Sequence, residues 1–86
     1  MNKKDFNKIY LNCRRGILEL DIILINFLEN EFTKKNKQNI KDLECLLKNE
    51  DQDLYLWIVK GEKTKDKKLS KIISKIKEST KKIKFV

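Results

Sequence analysis

Ten apolar side chains crowd the sixteen residues from Ile17 to Phe32: Ile17, Leu18, Leu20, Ile22, Ile23, Leu24, Ile25, Phe27, Leu28 and Phe32. At helical spacing they cover more than one face, so the segment is expected to be a central helix packed by neighbours on several sides. Its longest unbroken apolar run, Ile22 to Ile25, is much too short to span a bilayer. The polar gaps at Glu19, Asp21 and Asn26 are then the unusual positions. Glu19 and Asp21 fall in the first turns, where acids are favoured by the helix dipole.

Four further helices are expected around it, and no strand is convincing. The first runs from about Lys4 to Arg14, with Phe6, Ile9, Tyr10 and Cys13 on one face. Arg14 and Arg15 close it at the negative end of its dipole, and Gly16 sits where a left-handed terminal residue is expected. The third carries a stripe of Ile40, Leu43, Leu46 and Leu47, with Asn36 or Asn39 as its cap. A short fourth helix follows Asn49–Asp53, where Asp51 and Asp53 read as caps. It places Leu54, Trp57 and Ile58 at i, i+3, i+4 and stops at Gly61. Trp57 is expected to anchor it against the second helix. The fifth begins near Thr64 or Asp66 and buries Leu69, Ile72, Ile73 and Ile76; residues 78–86 are expected to form a frayed basic tail. Short connections between short helices imply an all-α fold, a compact bundle of five helices with the apolar second helix at its centre. At 86 residues the chain reads as one domain, 1–86.

Composition excludes most chemistry. There is no histidine, and the two cysteines, Cys13 and Cys45, are far apart and form no CxxC pair, so a zinc site would need more ligands than the chain offers. Both thiols are expected to be free and partly buried in a reducing cytosol. No apolar segment of signal-peptide type follows the N-terminal lysines, and a soluble, cytoplasmic protein without membrane insertion is expected. Ser70, Ser74 and Ser79 lie in a lysine-rich helix with no base partner, and no glycine-rich loop could cradle a phosphate. Glu19 and Asp21, two residues apart, do not share a helix face. No catalytic residue is therefore assigned, and the chain is not expected to be an enzyme. The net charge of +8 is concentrated in residues 60–86, which hold eleven lysines against three acids; residues 1–59 hold ten of each sign. That basic helix is poor in aromatic residues for stacking on bases and reads as a solvated face.

What remains is the run Cys13-Arg14-Arg15-Gly16-Ile17-Leu18-Glu19-Leu20-Asp21, which contains R-G-x-x-E at Arg15, Gly16 and Glu19. Two readings stand side by side. In one, Arg15 and Glu19 form an exposed i, i+4 pair and Gly16 is only a helix stop. In the other, a glycine without a side chain lets a partner's backbone come close, while Arg and Glu offer it a donor fork and an acceptor.

This run, followed by Phe27, resembles the signature of the succinate dehydrogenase assembly factors, the small flavinylation factors of bacteria and mitochondria. A second segment, Asp51-Gln52-Asp53-Leu54-Tyr55-Leu56-Trp57, is similar to the family's D-P-D-L-x-x-W. The resemblance extends from about Lys8 to Ile76. Gln52 departs from it where proline is frequent, which loosens the preset start of the fourth helix. The resemblance implies a five-helix chaperone that binds the flavoprotein subunit of succinate dehydrogenase, and in some bacteria that of fumarate reductase. It would promote covalent attachment of FAD to a histidine of that subunit. The factor would have no cofactor of its own, FAD being carried by the partner, and would be a monomer when free. It further implies that Arg15, Gly16 and Glu19, flanked by Arg14 and Asp21, form the partner-binding surface near the flavin. A small basic helical module binding nucleic acid or another protein is the alternative.

Overall fold

A computed structural model describes residues 2–81. The helices are α1 (Lys3–Cys13), α2 (Leu18–Thr33), α3 (Lys37–Leu46), α4 (Asp51–Leu54) and α5 (Lys67–Thr80), and no strand occurs among the described residues. α4 passes directly into a π-helical segment, Tyr55–Val59.

Local chemistry accounts for most of the boundaries. Asn2 and Asp5 cap α1 reciprocally, each side chain taking the other's backbone N–H. The Asn36 side chain accepts from the Asn39 N–H at 3.0 Å and opens α3. Asp66 accepts from Lys68 and Leu69 and opens α5, while Thr64 turns the chain just before it. Gly16 and Gly61 both take positive φ, 84° and 78°, as their places at helix ends require. Lys35 does so as well, at φ 57°, without being a glycine. It closes α2 in a Schellman turn: Asn36 N–H donates to Glu31 O and Lys35 N–H to Phe32 O.

α2 is the central element, lying against α1, α3, α5 and the π segment. Leu20, Ile23, Leu24, Phe27 and Leu28 form its buried face, and meet Ile9 and Cys13 of α1, Ile40, Leu43 and Leu46 of α3, Leu54 of α4 and Ile72, Ile73 and Ile76 of α5 in one core. The neighbours do not surround it completely. Leu18 and Ile22, expected inside, are exposed, because they sit on the side of the helix turned away from Leu20, Leu24 and Phe27.

Four other expectations are corrected. Asp51 and Asp53 lie inside the first turn of α4, and no side chain caps it at Glu50. The fourth helix is not regular beyond Leu54: Lys60 N–H reaches back five residues to Tyr55 O, and Glu62 N–H six to Leu56 O. Leu54 and Ile58 are buried there, while Trp57 is half-buried against the core. Cys45 is exposed and only Cys13 is buried. α5 continues in order to Thr80, whose hydroxyl donates to Ile76 O at 2.7 Å; the rest of the expected tail, 82–86, lies outside the described residues.

One polar cluster crosses the bundle. Asn39 does not cap α3. Its amide donates to buried Glu31 of α2 at 3.1 Å and accepts from Lys75 of α5 at 2.8 Å. Lys34 approaches the same carboxylate at 4.0 Å. Glu31 is therefore buried with a hydrogen-bond donor and a cation at hand, as a charge inside a small core must be.

Candidate functional site

The turn between α1 and α2 is built by the side chain of Asp21. One carboxylate oxygen accepts the Arg15 N–H at 2.7 Å and the other accepts the Gly16 N–H at 3.1 Å. These two amides belong to no helix, so the carboxylate supplies acceptors they would otherwise lack. Both bonds are charge-assisted. They fix Arg15 and Gly16 against the first turns of α2, whose N-cap, Ile17, contributes no side-chain bond of its own.

Arg15 does not pair with Glu19. Its guanidinium points into the molecule, with the side chain only 16% exposed. Nε donates to Asn12 O in α1 at 2.8 Å. One terminal nitrogen donates to Leu47 O, and the other to Asn49 O at 3.3 Å and to Asp51 Oδ1 at 3.1 Å. Helix C-termini leave carbonyls without intrahelical partners. The fork satisfies such groups at the ends of both α1 and α3, then pairs with the start of α4. It thereby ties the R-G-x-x-E segment to the Asp51-Gln52-Asp53-Leu54 segment, which stand thirty-six residues apart at Arg15 and Asp51.

The remaining residues of the run face outward. Arg14, Gly16 and Glu19 are exposed, and Glu19 forms no ion pair among the described residues. A Cβ added to Gly16 would meet nothing within 4 Å. Its lack of a side chain thus answers to its backbone conformation and not to crowding within the chain. A shallow open cavity of about 370 Å³ adjoins the turn, lined by Leu11, Asn12, Arg14, Arg15, Leu47 and Asp51.

Cys13 lies beneath the turn, fully buried. Burial pushes its thiol up to about 12; the positive charge of Arg15 works against that shift and Asp21 adds to it. A thiol so protonated is a packing group, not a nucleophile. Among the described residues no His, Cys, Asp and Glu cluster suited to a metal occurs, and no helix is long and apolar enough to cross a membrane.

The structure therefore separates the sequence-predicted residues. Arg15 and Asp21 are turned inward and build the turn, whereas Arg14, Gly16 and Glu19 are presented by it. Leu11 is exposed in the helix that leads into the turn, and Leu18 and Ile22, expected in the core, are exposed in the helix that leads out of it. The available signal was the helical offset of positions 18 and 22 from 20, 24 and 27.

Comparison with known proteins meets this geometry at the same segments. The family model described as flavinator of succinate dehydrogenase matches residues 7–80, which includes both the turn and the α4 segment joined to it. The chain belongs to this family. It is 34% identical over 77 residues to the FAD assembly factor SdhE of Legionella pneumophila (strain Lens), covering 90% of this chain and 96% of that protein. It is 41% identical over 81 residues to the FAD assembly factor SdhE of Wigglesworthia glossinidia brevipalpis, covering 93% and 95%. With the mitochondrial succinate dehydrogenase assembly factor 2 of Saccharomyces cerevisiae (strain YJM789) it shares 36% identity over 64 residues, 74% of this chain and 40% of the yeast protein. No solved structure matches the chain. The family expected from Cys13–Asp21 and Asp51–Trp57 is thus the one found, and the flavinators are assembly factors for a flavoenzyme.

Proposed function

We propose that this flavinator binds the flavoprotein subunit of succinate dehydrogenase through the surface around Arg14, Gly16 and Glu19, and promotes covalent attachment of FAD to a histidine of that subunit. The observation that carries the reading is the turn itself. Its exposed residues are held by internal bonds from Asp21 and Arg15, so a surface with no internal partner is presented in one fixed shape.

Arg15 and Asp21 contribute to docking by shaping the turn, and Arg14, Gly16 and Glu19 by touching the partner. The factor supplies neither flavin nor histidine, having no histidine in its sequence. It acts as an assembly factor and not an enzyme: it favours the flavoprotein conformation in which flavin and histidine are held for reaction, and rate follows from positioning. It works as a monomer in the cytoplasm, and a fumarate reductase flavoprotein is a second client of the same surface. The basic excess of residues 60–86 lies in a different part of the chain from the turn, which disfavours nucleic acid as the ligand.

The test is co-expression with the cognate flavoprotein subunit, reading covalent flavin as fluorescence of the denatured band. Wild type is expected to raise the signal. Glu19→Ala and Gly16→Asn are expected to abolish that rise, with helical content unchanged. Asparagine tolerates the left-handed conformation, so Gly16→Asn adds bulk at a cost of under about 1 kcal/mol in stability. A flavin signal indifferent to the wild-type protein would sink the proposal.

A further inference from the structure

Leu11, Leu18 and Ile22 are the exposed large apolar side chains of the described residues, at 64%, 76% and 38% of full exposure. Exposed apolar residues scattered singly need no explanation. These three all lie within six residues of Gly16 in sequence. Leu18 and Ile22 stand one turn apart on the face of α2 opposite its buried residues, and Glu19, three residues before Ile22, neighbours it on the helix surface. Half-buried Ile25 continues that face. Leu11 lines the shallow cavity beside Arg14 and Arg15. The apolar groups left uncovered by the fold therefore lie in the segments that lead into and out of the turn that Asp21 fixes with charge-assisted bonds.

We infer that Leu11, Leu18 and Ile22 are apolar anchors of the docking surface, covered by the flavoprotein subunit when it engages the turn. The inference rests on the reading that this turn docks on that subunit: Leu11 shares the shallow cavity with Arg14, and Ile22 neighbours Glu19 on α2. Polar groups such as Arg14 and Glu19 set orientation and exclude wrong partners. Affinity at an interface comes chiefly from a few large side chains desolvated near its centre. Arg14 and Glu19 alone would leave the surface without large groups to desolvate, and the exposed apolar side chains beside the turn supply them.

The experiment measures binding of the purified flavoprotein subunit lacking covalent flavin by titration calorimetry. The variants are Leu18→Ser/Ile22→Ser, Leu18→Ser alone, Leu11→Ser and Leu18→Met, with Glu19→Ala as the control for the turn. The double variant is expected to weaken binding about tenfold or more, and each single serine variant several-fold. Leu18→Met, which keeps the apolar volume, should bind as wild type does. The loss should persist at about 0.5 M salt, because desolvation of apolar groups is not screened as charge pairs are. Leu11→Ser and Leu18→Ser should barely move the unfolding temperature, since both side chains are mostly exposed; the double variant should lower it modestly through Ile22, which is only 38% exposed, so its binding is measured well below its transition.

If Glu19→Ala loses binding while the serine variants stay within about twofold of wild type, the inference is overturned and the docking reading stands. If the wild type does not bind the subunit at all, the docking reading fails and takes the inference with it. If sedimentation shows a wild-type dimer that Leu18→Ser/Ile22→Ser dissolves, a second copy covers this face and the inference is overturned.

Discussion

Replacing Arg15 by alanine removes one guanidinium from four acceptors at once: Asn12 O, Leu47 O, Asn49 O and Asp51 Oδ1. A hydrogen bond from a charged donor contributes about 1.5–3 kcal/mol where its acceptor is left dry. Here the values must be discounted. The Asp51 side chain is 48% exposed, so water replaces its partner and its share falls to about 0–1 kcal/mol. The three carbonyls close the ends of α1 and α3 near the surface, and partial rehydration leaves roughly 1 kcal/mol for each. Because one side chain makes all four bonds, they do not add independently, and the loss is about 2–4 kcal/mol. For a chain of this length, with about 5–10 kcal/mol in total, the unfolding temperature should fall on the order of 15 °C. Arg15→Lys keeps the charge but not the fork, and should lose about half as much. Asp51→Ala should cost under about 1 kcal/mol. Urea unfolding followed by circular dichroism reads all three, with an unchanged m-value showing that the denatured state is the same. An Arg15→Ala protein with its urea midpoint equivalent to within about 0.5 kcal/mol of wild type would refute the reasoning, and would return Arg15 to the exposed, partner-facing role its motif suggests.

Lys35 occupies a left-handed position at the end of α2; Lys35→Gly should therefore stabilise the protein by about 0.5–1 kcal/mol, measured in the same titration. The two thiols should differ sharply: a thiol reagent at neutral pH should modify Cys45 in the native protein and reach Cys13 only on unfolding. Because the Cys13 thiol is raised from 9.0 to about 12 by burial, the native state keeps a proton that the unfolded chain gives up. The stabilisation is complete below pH 9 and is lost as pH rises toward 12, with a slope approaching about 1.4 kcal/mol per pH unit. Cys13→Ala should remove that component of the slope, and an identical slope in the variant would contradict the assignment.

What the sequence discloses and what it hides divide along the range of the interactions. Asn36, Asp66, Gly16 and Gly61 were legible because a cap or a left-handed residue acts on neighbours two to four residues away. The acceptors of Arg15 were not, since Leu47, Asn49 and Asp51 lie thirty-two to thirty-six residues along the chain. No spacing rule links them, although the family's second segment, which begins at Asp51, marked one end of the contact. Asn39 looked like a cap because asparagine at a helix start is common; a partner in α2 and another in α5 use its side chain instead. Lys35 hid its conformation by not being glycine. The π segment Tyr55–Val59 contains no proline or glycine to announce it. Leu18 and Ile22 were misread for a different reason. A helix apolar all round reads as buried all round, and which side is left open depends on how many helices the chain has to cover it.

That open side bears on how a motif of this kind should be interpreted. A loop of four residues that ordered only on binding would cost about 1–2 kcal/mol per residue in backbone entropy. The flavinator meets that cost during its own folding, through the Asp21 carboxylate and the Arg15 fork. Under the proposed function, R-G-x-x-E then mixes two kinds of residue. Arg15 belongs with Asp21 and Cys13 to the fold, and its loss should appear first in the unfolding curve. Gly16 and Glu19 belong with Arg14 to the surface, and their loss should appear in flavin attachment while the unfolding curve stays close to wild type. A shared motif therefore does not imply a shared phenotype. Sorting each substitution by stability before activity separates the residues that shape the turn from those that meet the partner.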